Sequence, residues 1–231
     1  MLEALFFGLT ASAALVVGGV AGAFWRPPRW LVAVALAFAS GALITALAFD
    51  LFEESFGRGG LWLSGFGLLA GAAAFVVADE LLDRHIEGGG VSGFAILAAV
   101  TLDGIPENLA LGVTLLEGTG SIALLIAIFA SNLPEALGGA VGMRDQGRSG
   151  GFVILVWSGT ALLLAASVVV GSAALSGADE RFFSVLLAFA GGAVLASLAD
   201  TLMPDAYKEG GALVAFATVA GFFLSFMIDH V

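Results

Sequence analysis

The sequence predicts an all-α, polytopic membrane protein, on the basis of its composition and the spacing of its apolar segments. Of the 231 residues, 60% are hydrophobic and only 12% are charged, and the mean hydropathy is +1.06. A soluble globular chain would carry about 25% charged residues. Apolar stretches of about 18 residues or more, long enough to cross about 30 Å of hydrocarbon, recur along the sequence.

Eight such stretches are predicted to span the membrane as transmembrane helices. In chain order they cover residues 5–25, 30–49, 61–82, 94–116, 121–141, 152–175, 182–203 and 211–228. The first is predicted to be a membrane helix and not a cleaved signal, because no basic segment precedes it and further spans follow directly. The 33 glycines suit close helix packing in lipid. On the third span, Gly65, Gly67 and Gly71 are candidates for a lipid-facing homodimer contact.

The second and seventh spans share a repeated sequence. Residues 39–60 reappear 151 residues later as 190–211, with the same Ala-x-Gly-Ala, Leu-Ala and Gly-Gly elements in register. Because the two copies are five spans apart, they are expected to run in opposite directions through the membrane. We therefore predict an inverted repeat in a 3+2+3 bundle, an arrangement that many transporters use. The single domain, 1–231, would contain repeats at about 5–82 and 152–228 around central helices at 94–141.

The fourth and fifth spans each carry a Pro-Glu pair near their middle, at 106–107 and 134–135. A carboxylate in hydrocarbon is costly unless it faces a partner or a water-filled cavity. Each proline also lacks an N–H, which leaves the carbonyls of Leu102 and Ala130 without their helical donors. Such backbone is tolerated at membrane depth only where it is buried in protein or lines a cavity. The two pairs therefore predict a polar site in the middle of the bundle.

The spacing of the polar residues places several oxygen ligands on facing surfaces of these two spans. Asp103 and Glu107 are four residues apart and share one face of the fourth helix, as Ser131 and Glu135 do on the fifth. The predicted cation site consists of Asp103, Glu107, Asn132 and Glu135, with Asn108 and Ser131 as additional donors. The alternative is that the carboxyl groups are protonated and hydrogen-bonded within the bundle, and that Asn108 and Ser131 only bridge helices.

The basic residues predict the orientation of the chain. Six of the eight lie in one set of predicted loops: Arg26, Arg29, Arg84, Arg144, Arg148 and Lys208. By the positive-inside rule these loops are cytoplasmic, which places both termini outside the cell membrane. The chain has no cysteine, so it can form neither a disulfide nor a thiolate metal site.

Acidic residues gather at the predicted ends of spans, and the formal charge is −11, which disfavours nucleic acid as a partner. The second span ends with Asp50, Glu53 and Glu54, the third with Asp79, Glu80 and Asp83, and the seventh with Asp200 and Asp205. These residues are either solvated helix ends or acidic vestibules that raise the local cation concentration. The two histidines, His85 and His230, are expected to be interfacial residues and not ligands.

These features resemble those of the ZIP (Zrt-/Irt-like protein) family of divalent metal transporters, and the resemblance covers nearly the whole chain. It includes the eight spans with both ends outside, the 3+2+3 repeat and the two Pro-Glu motifs. The family motif His-Asn-x-Pro-Glu-Gly corresponds to residues 103–108, and the related motif of span five to residues 131–136. The resemblance implies that Glu107 and Glu135 bind metal, that Asn132 is a polar ligand, and that Asp103 replaces the family's histidine.

Two departures from the family pattern bear on the expected mechanism. Residues 157–162 of span six contain no acid, and Gly104 replaces an asparagine, so we expect one main transport site and a weaker second site or none. An all-oxygen site favours manganese, magnesium or ferrous iron, although zinc and cadmium also accept carboxylates. The predicted function is transport of zinc-, manganese-, iron- or cadmium-type ions into the cytoplasm by alternating access, without a prosthetic group or enzymatic activity.

Two other functions are compatible with the sequence. A transport-inactive homologue could act as a metal sensor or a structural membrane partner, because the histidine of span four and the acid of span six are missing. An intramembrane aspartyl hydrolase would need two facing acids, which Asp103 with Glu107 or Glu135 could supply. Proline-broken helices in a near-symmetric pair suit an ion path better than a substrate cleft.

Overall fold

A computed structural model describes residues 1–86, 93–116, 122–174 and 179–230. Within these ranges the chain is helical and forms no strand, which confirms the all-α prediction. The elements are α1 (Leu2–Phe24), α2 (Arg29–Ala46), a π-helix π1 (Leu47–Glu53), α3 (Glu54–Ile86), α4 (Gly93–Leu116), α5 (Ile122–Asp145), α6 (Gly150–Ala174), α7 (Glu180–Ser197), a second π-helix π2 (Leu198–Leu202), α8 (Met203–Gly210) and α9 (Leu213–Asp229).

Five helical segments of the described residues are long and apolar enough to cross a membrane. They are Leu2–Phe24, Arg29–Leu82, Ile122–Asp145, Gly150–Ala173 and Glu180–Gly210. The second, at 54 residues, contains two of the predicted spans, and the other predicted spans coincide with α4 and with the shorter apolar helix Leu213–Ile228. Large apolar side chains such as Leu69, Leu155 and Phe216 are exposed, as expected of lipid-facing helices. The chain is therefore a multi-pass membrane protein.

The second and seventh helices do not end at their acidic residues, contrary to the sequence-based prediction. Asp50 and Glu53 lie inside π1, and the helix continues to Gly60, where φ is 66°. Likewise the seventh helix continues through Asp205 to Gly211, where φ is 57°. Glycine adopts positive φ at little steric cost, so the break falls at the glycine and not at the acids before it.

Both irregularities recur at the repeat distance found in the sequence. The two π-helices begin at Leu47 and Leu198, 151 residues apart. The two helix breaks, at Gly60 and Gly211, are also 151 residues apart. The repeated sequence therefore adopts the same unusual backbone conformation in both copies.

Glycines allow the helices to pack with their backbones in contact. Where α2 packs on α9, Gly41 lies against the carbonyl of Thr218, and Gly221 lies against that of Phe38. A side chain at either glycine would collide with that backbone. These glycines thus have the packing role that the sequence predicted.

The contact between α3 and α7 is built in the same way, and it changes the interpretation of the third span. Gly67 and Gly71 lie against the carbonyls of Val185 and Phe189 of α7. They are therefore used inside the bundle, and the prediction that they face lipid as a dimer contact is wrong. Gly65 alone of the three has no atom close to the position that a Cβ would occupy.

The two proline-bearing helices, α4 and α5, lie at the centre of the bundle. Among the described residues, α4 contacts α1, α3, α5, α6 and α7, and α5 contacts α1, α2, α4, α6 and α9. Both helices continue past their prolines, Pro106 and Pro134. Because helices from both ends of the chain enclose this pair, its polar residues are held away from lipid.

Candidate functional site

Asp103, the first of the two acids on α4, lies next to the seventh helix and close to other acids. Its side chain is 7% exposed and lies beside Ser197 at the end of α7. It also lies within electrostatic range of Asp79 on α3 and Asp200 on π2. Asp103 therefore lies in a region of negative potential formed by three separate elements, which favours a cation.

Glu107 and Asn108 lie one turn further along α4 and are more deeply enclosed. Glu107 is 5% exposed, and Asn108 is fully buried. The Asn108 side-chain N–H donates to the carbonyl of Gly104 at 2.8 Å, which orients the amide. Its Oδ1 atom is buried and has no hydrogen-bond partner in the described part of the protein. An oxygen in this state is costly to bury and is free to coordinate a cation.

On α5 the three predicted ligands lie in different environments. Glu135 is partly buried, and Asn132 is buried with its Nδ2 unpaired among the described residues. Ser131 is buried, and its hydroxyl donates to the carbonyl of Ile128 at 3.0 Å. Ser131 thus already has a partner in its own helix, whereas Asn132 has unused hydrogen-bonding capacity.

The three acids of the site are neighbours but do not form a ready metal site. Glu135 lies within electrostatic range of both Glu107 and Asp103, and Glu107 lies within range of Asp103. In the ranges that the structure covers, however, no group of three histidine, aspartate or glutamate side chains is arranged to hold a metal ion. Shared coordination of one ion by these acids would require their side chains to move closer together.

A cavity of about 490 Å³ connects this region with the protein surface. Asp103 and Glu135 line its inner part, and the charged residues Arg29, Asp145 and Lys208 line its outer part. Glu107, Asn108, Ser131 and Asn132 are not among the lining residues and lie behind this surface. The predicted site is therefore divided into two acids that face the cavity and a deeper group.

Two hydroxyl residues near the site, Ser197 and Thr201, were not predicted from the sequence. Ser197 lies beside Asp103, and Thr201 lines the cavity. They are four residues apart, and the Thr201 hydroxyl donates to the Ser197 carbonyl at 2.8 Å. The signal available in the sequence was this spacing beside Asp200, which places both hydroxyls on one helical face.

Space next to Gly104 is filled by the sixth helix. A Cβ at Gly104 would collide with Cδ1 of Leu164 on α6. The hydroxyl of Thr160, one turn before Leu164 on α6, donates to the Val156 carbonyl of its own helix at 3.2 Å. The position at which a second set of ligands could enter is thus occupied by an apolar side chain.

Of the two histidines, only His230 has a described side chain. Its ring stacks on Phe226 at 4.0 Å and is exposed. It does not line the cavity. The side chains of His85 and of Asp83 lie outside the described part of the structure.

Comparison with known proteins gives one distant similarity. No family model matches the chain. The chain is 26% identical over 216 residues to an Arabidopsis thaliana protein named "putative zinc transporter". The matched region is 88% of this chain but 34% of that protein, so the chain spans about a third of the length of this relative.

Proposed function

We propose that this protein transports divalent metal ions across the membrane by way of the carboxylates on α4 and α5. The observation that carries the proposal is the cavity that leads from a charged mouth to Asp103 and Glu135, beside the buried Glu107. Acids at this depth are rare in membrane proteins and mark ion or proton paths. The similarity to a protein named as a zinc transporter supports the same class of cargo.

The proposed architecture is a ZIP-like bundle of eight spans in a 3+2+3 inverted repeat. It is supported by the recurrence of the π-helix and of the glycine break at a distance of 151 residues. The packing supports it as well. The second helix of the first repeat, α2, contacts the third helix of the second repeat, α9. Likewise the third helix of the first repeat, α3, contacts the second helix of the second repeat, α7. Such an exchange of second and third helices is expected when two halves are related by an axis in the membrane plane.

The proposed cargo is held by oxygen atoms alone. Glu107 and Glu135 supply the principal carboxylates, Asp103 and Asn132 join them, and the unpaired Oδ1 of Asn108 lies on the adjacent turn. Ser131 contributes least, because its hydroxyl already donates within its own helix. Leu164 beside Gly104 supports a single main site for zinc, manganese, iron or cadmium.

The proposed direction of transport is into the cytoplasm, with both termini outside. The direction follows from the resemblance to the ZIP family, and the orientation is supported by the charge at the cavity mouth, where Arg29 and Lys208 belong to the set of loops that holds most of the basic residues. By the positive-inside rule the cavity then opens to the cytoplasm. The conformation is accordingly the inward-open state of an alternating-access cycle, from which an ion is released.

The test is metal uptake by proteoliposomes that contain the purified protein. Manganese, ferrous iron, zinc, cadmium and magnesium are offered separately to wild type, Glu107→Gln and Glu135→Gln. Loss of one partner in a buried charged contact costs about 2 kcal/mol or more, so we expect uptake to fall by about 30-fold or more in both variants. Glu80→Gln, at an exposed glutamate on α3, is the matched control and should transport normally.

Uptake by Glu107→Gln or Glu135→Gln at the wild-type rate would rule out the proposed site. The sensor function would be supported if the wild type transports no ion, but metal raises the melting temperature of the wild type and not that of Glu107→Gln.

A further inference from the structure

Two ion pairs lie at opposite ends of the second helical segment. Arg29 begins α2, and Arg58 lies in the first turns of α3, just before the break at Gly60. At 1.5 Å per residue, the helical run between the two arginines is about 40 Å long, which exceeds the hydrocarbon thickness of about 30 Å. The two arginines therefore lie at opposite faces of the bundle, each bonded to a glutamate from the other repeat.

The two pairs occupy equivalent positions, with their charges exchanged. Arg58 contacts Glu180, the first residue of α7, and Arg29 contacts Glu209, near the end of α8. Position 180 is 151 residues after position 29, and position 209 is 151 residues after position 58. The repeat operation thus maps one ion pair onto the other, and each arginine onto a glutamate.

The pair at Arg58 is the tighter of the two. Its guanidinium donates to Glu54 at 2.6 Å and to Glu180 at 2.7 Å, and it lies 4.7 Å from the ring centre of Phe183. The Arg58 side chain is 18% exposed. Glu54 and Glu180 are 40% and 70% exposed, so the greater strength of this pair lies in the burial of the guanidinium and in its two short charge-assisted bonds.

The pair at Arg29 is open to solvent. Its two atoms are 3.4 Å apart, and the side chains of Arg29 and Glu209 are 84% and 40% exposed. Both residues line the cavity that leads to Asp103. An exposed pair of this kind adds little stability. Arg29 is also disfavoured by its position at a helix N-terminus, whereas Glu180 is favoured there.

The side chains beside the two ion pairs also make the Arg58 end the more tightly held of the two. At the Arg58 end, three fully buried serines bond to one another: the Ser55 hydroxyl donates to Ser64 at 2.9 Å, and the Ser184 hydroxyl donates to the Ser55 carbonyl at 2.8 Å. The positions equivalent to Ser55 and Ser184 are Ala206 and Ala33, whose side chains cannot form hydrogen bonds. The serine hydrogen bonds at the Arg58 end therefore have no counterpart at the equivalent positions of the Arg29 end.

We propose that these ion pairs are two alternating gates, an inference that rests on the proposed transport function. In the conformation described here, Arg58–Glu180 holds one face closed while the cavity is open at the other face. In the opposite state, the Arg29–Glu209 pair, which is already in contact at 3.4 Å here, tightens and closes the cavity mouth, and Arg58 separates from Glu180. Arginine and glutamate have exchanged places between the two equivalent pairs, which makes the gate at Arg58 the stronger one. This difference in strength sets the preference between the two states.

The test uses the absence of cysteine from the chain. Two single-cysteine reporters are made, Leu187→Cys in the buried part of α7 at the Arg58 end and Val32→Cys in the cavity wall. Labelling rates with a membrane-impermeant maleimide are measured on purified protein in detergent without metal, in the wild-type and Arg58→Gln backgrounds. Arg84→Gln, which breaks an exposed ion pair with Glu80, is the matched control.

The expected result is an opposite change at the two reporters. Arg58→Gln should raise labelling at Leu187→Cys by about tenfold and lower it at Val32→Cys by a smaller factor, since it removes charged hydrogen bonds from one state only. Rates equal to those in the Arg84→Gln control would overturn the proposal. A rise at both reporters would overturn it as well, because it would indicate general loosening of the bundle.

A second variant tests the same gates without removing a charge. The double change Arg29→Glu with Glu209→Arg keeps an ion pair at the cavity mouth and gives it the favourable helix polarity. It should lower labelling at Val32→Cys a few-fold, and an unchanged rate would contradict the role of charge exchange. Labelling is measured without metal, so its result is independent of the uptake measurement. If the labelling changes are seen but no ion is taken up, the gates stand and the transport function is refuted. If ions are taken up but labelling does not change, transport stands and the gates are refuted.

Discussion

The two central helices carry the same Pro-Glu motif in different surroundings. Counting from the motif, Glu107 of α4 corresponds to Glu135 of α5, and Asn108 corresponds to Ala136. Glu107 is 5% exposed and lies behind the cavity, whereas Glu135 lines it. Two equivalent carboxylates are thus placed at two depths, so under the proposed function an ion that enters or leaves through the cavity would meet Glu135 before Glu107.

The turn before each proline differs as well. Asp103 and Gly104 of α4 stand where α5 has Ser131 and Asn132. The acid is on one helix and the amide on the other, so the two helices contribute different groups from the same turn. Nearly equivalent backbones can in this way present an asymmetric set of ligands to a single ion.

The largest effect is expected from replacing Gly104 of α4 with asparagine, the residue that α5 has at the corresponding position 132. Gly104→Asn would push against Leu164, and overpacking of this kind costs about 1–3 kcal/mol. Thermal unfolding in detergent should show a lower melting temperature, and Leu164→Ala should restore most of it in the double variant. If Gly104→Asn melts like the wild type, the contact with Leu164 does not limit the size of residue 104.

A smaller effect is expected from changing the acid of the same turn. Asp103→His replaces an oxygen ligand with nitrogen and should shift the competition between zinc and manganese several-fold towards zinc. The measurement is uptake of one ion in the presence of the other. Asp205→His, at an exposed acid in the cavity wall, is the control and should leave the ratio unchanged. An unchanged ratio in Asp103→His would place Asp103 outside the coordination sphere.

The smallest effect is expected at the corresponding residue of α5. Ser131→Ala removes a hydroxyl whose hydrogen bond goes to Ile128 in its own helix, so stability should change by about 1 kcal/mol or less. Uptake should remain close to the wild-type rate. A loss of uptake as large as that expected for Glu135→Gln would show that Ser131 is a main ligand and would reverse the ranking of the two helices.

Local sequence patterns predicted the helices and the acids of the site. The lengths of the apolar stretches located most of the helices to within a few residues, although the second and seventh continue well past their predicted ends, and the Pro-Glu pairs identified Glu107 as a buried acid and Glu135 as a partly buried one. Both signals depend only on neighbours along the chain. The acids that follow the second span were less informative, because the helix continues past Asp50 and Glu53 to the glycine at position 60.

Features that depend on contacts between distant segments could not be predicted. The proximity of Ser197 to Asp103 depends on the packing of α7 on α4, and the burial of Gly67 and Gly71 depends on which helix packs over them. The π-helices are a change of hydrogen-bond register within apolar sequence that would equally suit an α-helix. The depth difference between Glu107 and Glu135 likewise follows from the position of the cavity.

The cavity beside Glu135 also has an electrical consequence. With a volume of about 490 Å³ and a charged wall, it can hold many water molecules, each of which takes about 30 Å³ in the liquid. Water conducts the potential inward, so the membrane voltage falls mainly across the dry protein between the cavity floor and the opposite face. A charge that crosses this short distance gains nearly the full energy of about 2.3 kcal/mol per 100 mV. Small displacements of a divalent ion near Glu107 would therefore be strongly voltage-sensitive.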